Sequence, residues 1–277
     1  MSEDIIKKDN TESEIVIIND FLDIVAEGVL SSNPAFLCGV KFFKSLSFRA
    51  ILREYEKYKQ KAVLDEKDKL RELLRSTVNA YMKLAEKNGW DVHDYDNENA
   101  IGYVESITKG VLEYTLSEYE NKKIKLYGDF LGAVVYYGDF SRIDELIHGL
   151  KVLSKLSYRQ LILVKLITDN FTEIDKSTSI TNVSICVEMS ELMLMGFWRI
   201  NGVLLETDYT SPITIGDVNC TQYAKEFVAY TNLNFSQEEI QKVVDKFHLD
   251  YREQSNRFML TISDNPVDGE PPQQNSC

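Results

Sequence analysis

The stretch S-Y-R-Q-L-I-L-V-K-L-I-T-D-N, residues 157–170, leaves a folding chain little choice. Six of the seven residues from Leu161 to Ile167 are apolar, and only Lys165 interrupts them. A helix that is apolar nearly all round has no side to turn to water, so its neighbours must wrap it. A buried strand could carry the same run, because periodicity alone does not separate the two. Ser157 and Gln160 stand at capping-box spacing, in which each side chain satisfies the other's backbone N–H, and that favours helix. The expectation is a central helix, with the rest of the chain supplying its surroundings.

Those surroundings read as further helices over residues 13–170. From Ser13, apolar groups at Ile17, Phe21, Ile24 and Val25 recur at helical spacing, and Gly28 lies near the end of that run. Asn33 as cap and Pro34 at the first helical position open the next helix. Residues 36–43 give it Phe36, Leu37, Val40, Phe42 and Phe43, with Lys41 among them and Lys44 just beyond. This segment is the only candidate for contact with a membrane surface; packing on the protein's own core or on a second copy is the preferred reading. Ser47 opens a charged helical region expected to continue to a C-cap at Gly89. Its eleven basic and six acidic residues between Lys41 and Arg75 interleave in sign, which describes a solvated face rather than a nucleic-acid patch.

Residues 100–118 carry apolar groups at Val104, Ile107, Val111, Tyr114 and Leu116, although Gly102 and Gly110 weaken the helix. Tyr127, Phe130, Leu131, Val134 and Val135 form a stripe at i, i+3, i+4, i+7 and i+8, ended by Gly138. Ile143, Leu146, Ile147, Leu150 and Leu153 repeat the pattern. Short connections between such helices predict antiparallel neighbours in a bundle.

After Asn170 the texture changes to F-T-E-I-D-K-S-T-S-I-T-N, a linker by composition. Residues 184–195 then read as a helix turning at Gly196 into a strand. S-P-I-T-I-G reads as a second strand, and T-Q-Y-A-K-E-F-V-A-Y as a helix. Helix, strand, turn, strand and helix in this order predict a small winged-helix-like α+β module. Ser236 and Glu239 form another capping box. The predicted organisation is a polar, frayed 1–12, a helical bundle over 13–170, the α+β module over 171–262 and a Pro-rich tail over 263–277.

Charge restricts the partners. The chain carries a formal net charge of −13, which repels nucleic acid and anionic lipid alike. Residues 171–277 hold 7 basic and 16 acidic side chains, net −9, and residues 1–170 the remaining −4. Cys38, Cys186, Cys220 and Cys277 lie far apart with no metal or disulfide spacing. Reduced thiols in a cytoplasmic protein are expected, with Cys38 and Cys186 as small core residues. The first ten residues are polar and mixed in charge, unlike a signal peptide, and no apolar run approaches the ~20 residues of a membrane span.

One loop has metal-ligand spacing. Counted from Asp94, acidic oxygens fall at positions 1, 3 and 5 (Asp94, Asp96, Glu98), with Ile101 at 8 and Glu105 at 12, as in a calcium-binding helix–loop–helix. Asn99 stands at position 6, where such loops use glycine, and the preceding helix is expected to stop too early, at Gly89. The reading adopted is a helix start in which Asp96 or Asn97 caps and Glu98 meets the helix dipole, with no bound metal and no cofactor. Nucleotide-binding, hydrolase and zinc-protease motifs are absent, and His93, His148 and His248 have no cysteine or second histidine near them in sequence. Met189, Met193 and Met195 form a flexible apolar cluster suited to a core or a partner.

Two segments carry a resemblance. The first is E-N-K-K-I-K-L-Y-G-D-F-L-G-A-V-V-Y-Y-G-D-F-S-R-I-D-E-L, followed by L-S-K-L-S-Y-R-Q-L-I-L-V-K-L-I. The second is S-E-L-M-L-M-G-F-W-R-I-N with V-N-C-T-Q-Y-A-K-E-F-V-A-Y. Together they resemble a loose group of bacterial helical proteins that includes the abortive-infection alpha proteins, associated with phage defence. The similarity spans about residues 119–230. It departs from the group's pattern at Tyr223, where a glycine usually follows the threonine by two residues. The shared motifs are packing motifs, so the resemblance implies a fold and a phage-defence or stress setting, with no catalytic residue to carry over. The expected function is that of a non-enzymatic interaction protein, acting through a protein partner or as a homo-oligomer. The alternatives are a winged-helix DNA-binding regulator, and a toxic effector or enzyme with a dispersed metal-dependent site. Against the DNA reading, residues 184–195 contain Glu188 and Glu191 and no lysine or arginine.

Overall fold

A computed structural model describes residues 38–39, 41–42, 45–90, 98–138, 140–172, 174–200 and 213–247. The chain is mainly α-helical, a helical bundle with one small antiparallel sheet of two strands among the described residues. It divides into two compact units: one runs to Leu161 and takes in Lys225–Asn234, and the other holds Ile162–Ala224 and resumes at Phe235. The division falls inside the apolar 161–167 run, upstream of the Ser/Thr-rich stretch that composition marked as the linker.

The first unit contains α1 (Leu46–Lys59), α2 (Leu64–Lys87), α3 (Glu98–Ser117), α4 (Asn121–Tyr137), a 3₁₀ turn (Phe140–Arg142) and α5 (Ile143–Lys155). The charged region expected to be continuous is two helices, broken at residues 60–63. Glu66 reaches back to accept the Val63 N–H at 2.9 Å, which starts a fresh helix and satisfies a donor that its first turn would otherwise leave open. Ser45, rather than Ser47, caps α1, its Oγ accepting from the Phe48 N–H at 3.2 Å. Gly138 ends α4 at φ +56°, its N–H bonded to the Val134 carbonyl, as its place after the apolar stripe predicts.

The most extensive contact joins α2 and α4, which run the same way, Gly128 beside Ser76 and Gly132 beside Ala80. Glycine makes this possible. A Cβ on Gly128 would stand 2.4 Å from Ser76 Cβ and 2.8 Å from the Leu73 carbonyl oxygen. One on Gly132 would stand 2.5 Å from the Thr77 carbonyl oxygen. The two backbones therefore touch along a seam of small residues, Gly128 and Gly132 facing Ser76, Thr77 and Ala80. The stripe Tyr127, Phe130, Leu131, Val134 and Val135 is buried throughout. Phe42 stacks on Tyr81 at 3.8 Å between centroids, and Tyr81 meets Tyr136 edge-on at 5.5 Å. Cys38, Gly39 and Phe42, the buried described residues of the aromatic 36–43 segment, thus lie in this unit's own core.

Next comes α6 (Tyr158–Thr168), in which the units meet along the chain. Its capping box is formed as the spacing predicts: the Ser157 N–H donates to Gln160 Oε1 at 2.9 Å and the Gln160 N–H to Ser157 Oγ at 3.2 Å. Leu161, Ile162, Leu163, Val164, Leu166 and Ile167 are all buried, and Lys165 reaches out to Asp169 at 2.8 Å. The apolar run is a helix wrapped on all sides.

The second unit continues with α7 (Val183–Leu194), β1 (Trp198–Ile200), a 3₁₀ turn (Ile215–Asp217) and β2 (Val218–Cys220). The helix α8 (Gln222–Thr231) follows, leading back into the first unit, and α9 (Gln237–Phe247) lies beyond it. β1 and β2 pair antiparallel, with Trp198 opposite Cys220 and Ile200 opposite Val218. The second strand lies later than S-P-I-T-I-G suggested. Asp217 accepts from both the N–H (2.9 Å) and the hydroxyl (2.7 Å) of Thr214, so T-I-G-D closes into a capped turn and the ladder begins after it. Asn182 caps α7 through Oδ1 and donates from Nδ2 to the Lys246 carbonyl at 3.0 Å, tying α7 to the end of α9. Trp198 Nε1 donates to the Met189 carbonyl at 2.7 Å, which fixes β1 on α7. Tyr223 packs its ring against Phe197 at 5.1 Å. The Ser236–Glu239 capping box is also present, with the Glu239 N–H donating to Ser236 Oγ at 3.3 Å and the Ser236 N–H to Glu239 Oε2 at 3.1 Å.

Candidate functional site

Of the calcium-spaced residues, Asp94 and Asp96 lie outside the described residues. Glu98 is the first residue of α3, so positions 5 to 12 of that spacing form continuous helix. Glu105 is two turns along and pairs with Arg53 of α1. Among the described residues no three His, Cys, Asp or Glu side chains gather closely enough to hold a metal ion. His148 is exposed on α5; His93 and His248 lie outside the described residues.

A dense polar cluster in the first unit is one the sequence pattern did not reveal. Lys123 is only 3% exposed. Its Nζ stands 2.7 Å from Glu118 Oε2 and donates to the Ser154 carbonyl at 3.0 Å. Tyr127 donates its hydroxyl to the same Glu118 oxygen at 2.8 Å, while Glu118 Oε1 accepts the N–H groups of Tyr119 and Glu120 at 2.9 and 3.0 Å. Lys69 donates to the Glu118 carbonyl at 2.6 Å. Burial raises the Glu118 carboxyl, but the bonds from Lys123, the Glu120 N–H and Tyr127 outweigh it and leave the carboxyl below its usual range. Burial and the Glu118 charge push the Tyr127 phenol well above its ordinary value. A carboxylate that stays charged beside a phenol that keeps its proton has no proton to exchange near neutral pH. The cluster is therefore a clasp joining the α3–α4 turn to the end of α5, and its partners complete it.

A second feature is an open cleft of about 280 Å³ lined by Ala133, Val134, Tyr137, Arg142, Leu146 and Tyr230. Arg142 lies over the Tyr230 ring at 4.7 Å and contacts Glu145 at 3.4 Å and Glu226 at 3.9 Å. The cleft is small against the roughly 300–1,000 Å³ of ligand pockets, and its one cation is already shared by two carboxylates.

The third feature is an apolar face in the second unit. On α7, Ile185, Met189 and Leu192 are buried. On the opposite side Val183, Val187 (53% exposed) and Leu194 (84%) form a stripe at i, i+4 and i+11, extended by Met195 just past the helix end. Of the three methionines, Met189 serves the core, Met193 is half-buried and Met195 is exposed. Cys186 is half-buried, with Sγ 3.1 Å from the Ile180 carbonyl.

No family model, no curated protein and no solved structure matches this chain. Among the described residues no helix is long and apolar enough to cross a membrane.

Proposed function

We propose that this chain is a non-enzymatic interaction protein that binds another protein through the exposed face of α7. One observation carries the reading: α7 is apolar on two opposite sides, and the second unit buries only one of them. Exposed apolar side chains gathered on one helix face, here with Ser190 among them, mark a contact surface. The partner inferred is a different protein with an apolar ridge flanked by lysine or arginine. α7 itself carries Glu188 and Glu191 and no cation, and residues 171–277 are net −9. Two-fold pairing of this face with a second copy would bring like charges together, which costs binding energy. The order α7–β1–β2–α8 supports a winged-helix-like reading of the module. The helix that such a module would place in a DNA groove lacks the cations that phosphate contact requires. The phage-defence setting rests on the sequence resemblance alone.

A synthetic amphipathic helix with leucines at i, i+3, i+4 and i+7 and lysines elsewhere serves as the probe, titrated into full-length protein at physiological salt. The expected result is saturable binding that Val187→Glu with Leu194→Glu weakens at least tenfold, with light scattering showing a monomer. Equal binding to both forms would reduce the effect to bulk charge and overturn the site. A dimer that the double substitution dissociates would replace the proposed partner with a second copy.

A further inference from the structure

Asp129 is the one carboxylate that α4 carries into the first unit's interior. It sits beside Gly128 on the seam with α2 and is 6% exposed, and its Oδ2 is buried without a hydrogen-bond partner. The charged groups that face it are Lys125, one turn back on α4, and Lys83 and Glu72 on α2. Both lysines are exposed, as is Glu72, and none forms an ion pair with it. The contrast with Lys123, two turns earlier on the same helix and fully engaged, shows that this interior can satisfy a buried charge. At Asp129 it does not.

We propose that Asp129 is a proton-binding site set into the α2–α4 seam, which takes up a proton in mild acid and thereby stabilises the bundle. Protonation turns an uncompensated anion into a neutral hydroxyl donor beside the Thr77 and Ser76 helix. Burial pushes the carboxyl up to about 6; the attraction of Lys125 and Lys83 opposes that and the repulsion of Glu72 assists it. The sign follows from linkage. The folded state holds this proton more tightly than the unfolded chain, so the stabilisation is complete below the ordinary aspartate range and is lost as pH rises through about 6. The inference is independent of the partner surface on α7.

Two measurements on the full-length protein test it. With ¹³C-carboxyl aspartate, one resonance is expected to titrate near pH 6 and to vanish in Asp129→Asn. Thermal melts are expected to show Asp129→Asn above wild type by roughly 5 °C at pH 7.5, the gap halving by pH 5 and nearly closing by pH 4. If every aspartate in wild type titrates in its ordinary range, the proposal is overturned, whether or not the variant folds. A gap that does not change with pH also overturns it. The NMR titration repeated in millimolar magnesium separates proton from cation: an unmoved midpoint supports the proton, and a midpoint displaced downward means a metal-ion site instead.

Discussion

Leu163 on α6 is fully buried, and Leu194 on α7 is 84% exposed, although each sits in a short helix made mostly of apolar residues. The two helices differ in what surrounds them. α6 is enclosed on every side, and its one charged interior residue, Lys165, escapes to Asp169. α7 divides into a buried row of Ile185, Met189 and Leu192 and an exposed row of Val183, Val187 and Leu194. Their shared richness in aliphatic side chains hides this difference. The lesson is that a helix apolar on two faces demands two partners, and α7 meets only one within the described residues.

The largest effects should come from α6. Leu161 and Leu163, two residues apart, lie on nearly opposite sides of it and both are buried, and Leu161→Ala and Leu163→Ala are each expected to cost ~2–5 kcal/mol through lost burial plus a cavity. Denaturant melts measure this directly; a wild-type midpoint with unchanged slope in either variant would break the contrast. Next, α7 should split by face. Leu192→Ala should cost a comparable ~2–5 kcal/mol, whereas Leu194→Ala, two residues on, should stay within about 0.5 kcal/mol. Equal losses at the two positions would mean that the exposed row is covered. The smallest effect belongs to Lys165→Ala. Its half-exposed ion pair with Asp169 spans one helical turn, and such pairs contribute about 0.3–0.5 kcal/mol.

Much of this was legible in the sequence because it is local. The boxes at Ser157 and Ser236, the stop at Gly138 and the buried stripe from Tyr127 to Val135 each depend on residues within a few turns of one another. The misses were of two kinds. Some were local chemistry read too coarsely: Glu66 restarting a helix at Val63, and Asp217 closing the turn that displaced β2. Others depend on distant partners. Nothing within K-K-I-K sets Lys123 apart from the lysines beside it, yet it is buried, and Ser154, 31 residues away, accepts from it beside Glu118. Asp129 resembles any surface aspartate until α2 is laid over its neighbour Gly128. The apolar side chains of α7 were visible in the sequence, but which of them remain uncovered was a property of the packed unit.

The α2–α4 seam also restricts how this sequence can drift. At most core positions a larger side chain can be absorbed when a neighbour changes rotamer. At Gly128 and Gly132 the nearest atoms include the Leu73 and Thr77 carbonyl oxygens and the Thr77 and Tyr81 amide nitrogens, which have no rotamer to change. Even an alanine there would require the helices to part by roughly 1 Å along their length, loosening the packing on both sides. These two sites therefore have an alphabet of one letter, while the exposed faces a turn away are open to substitution. Any descendant that keeps the two helices in backbone contact inherits both glycines, and one that has lost either has a differently spaced bundle.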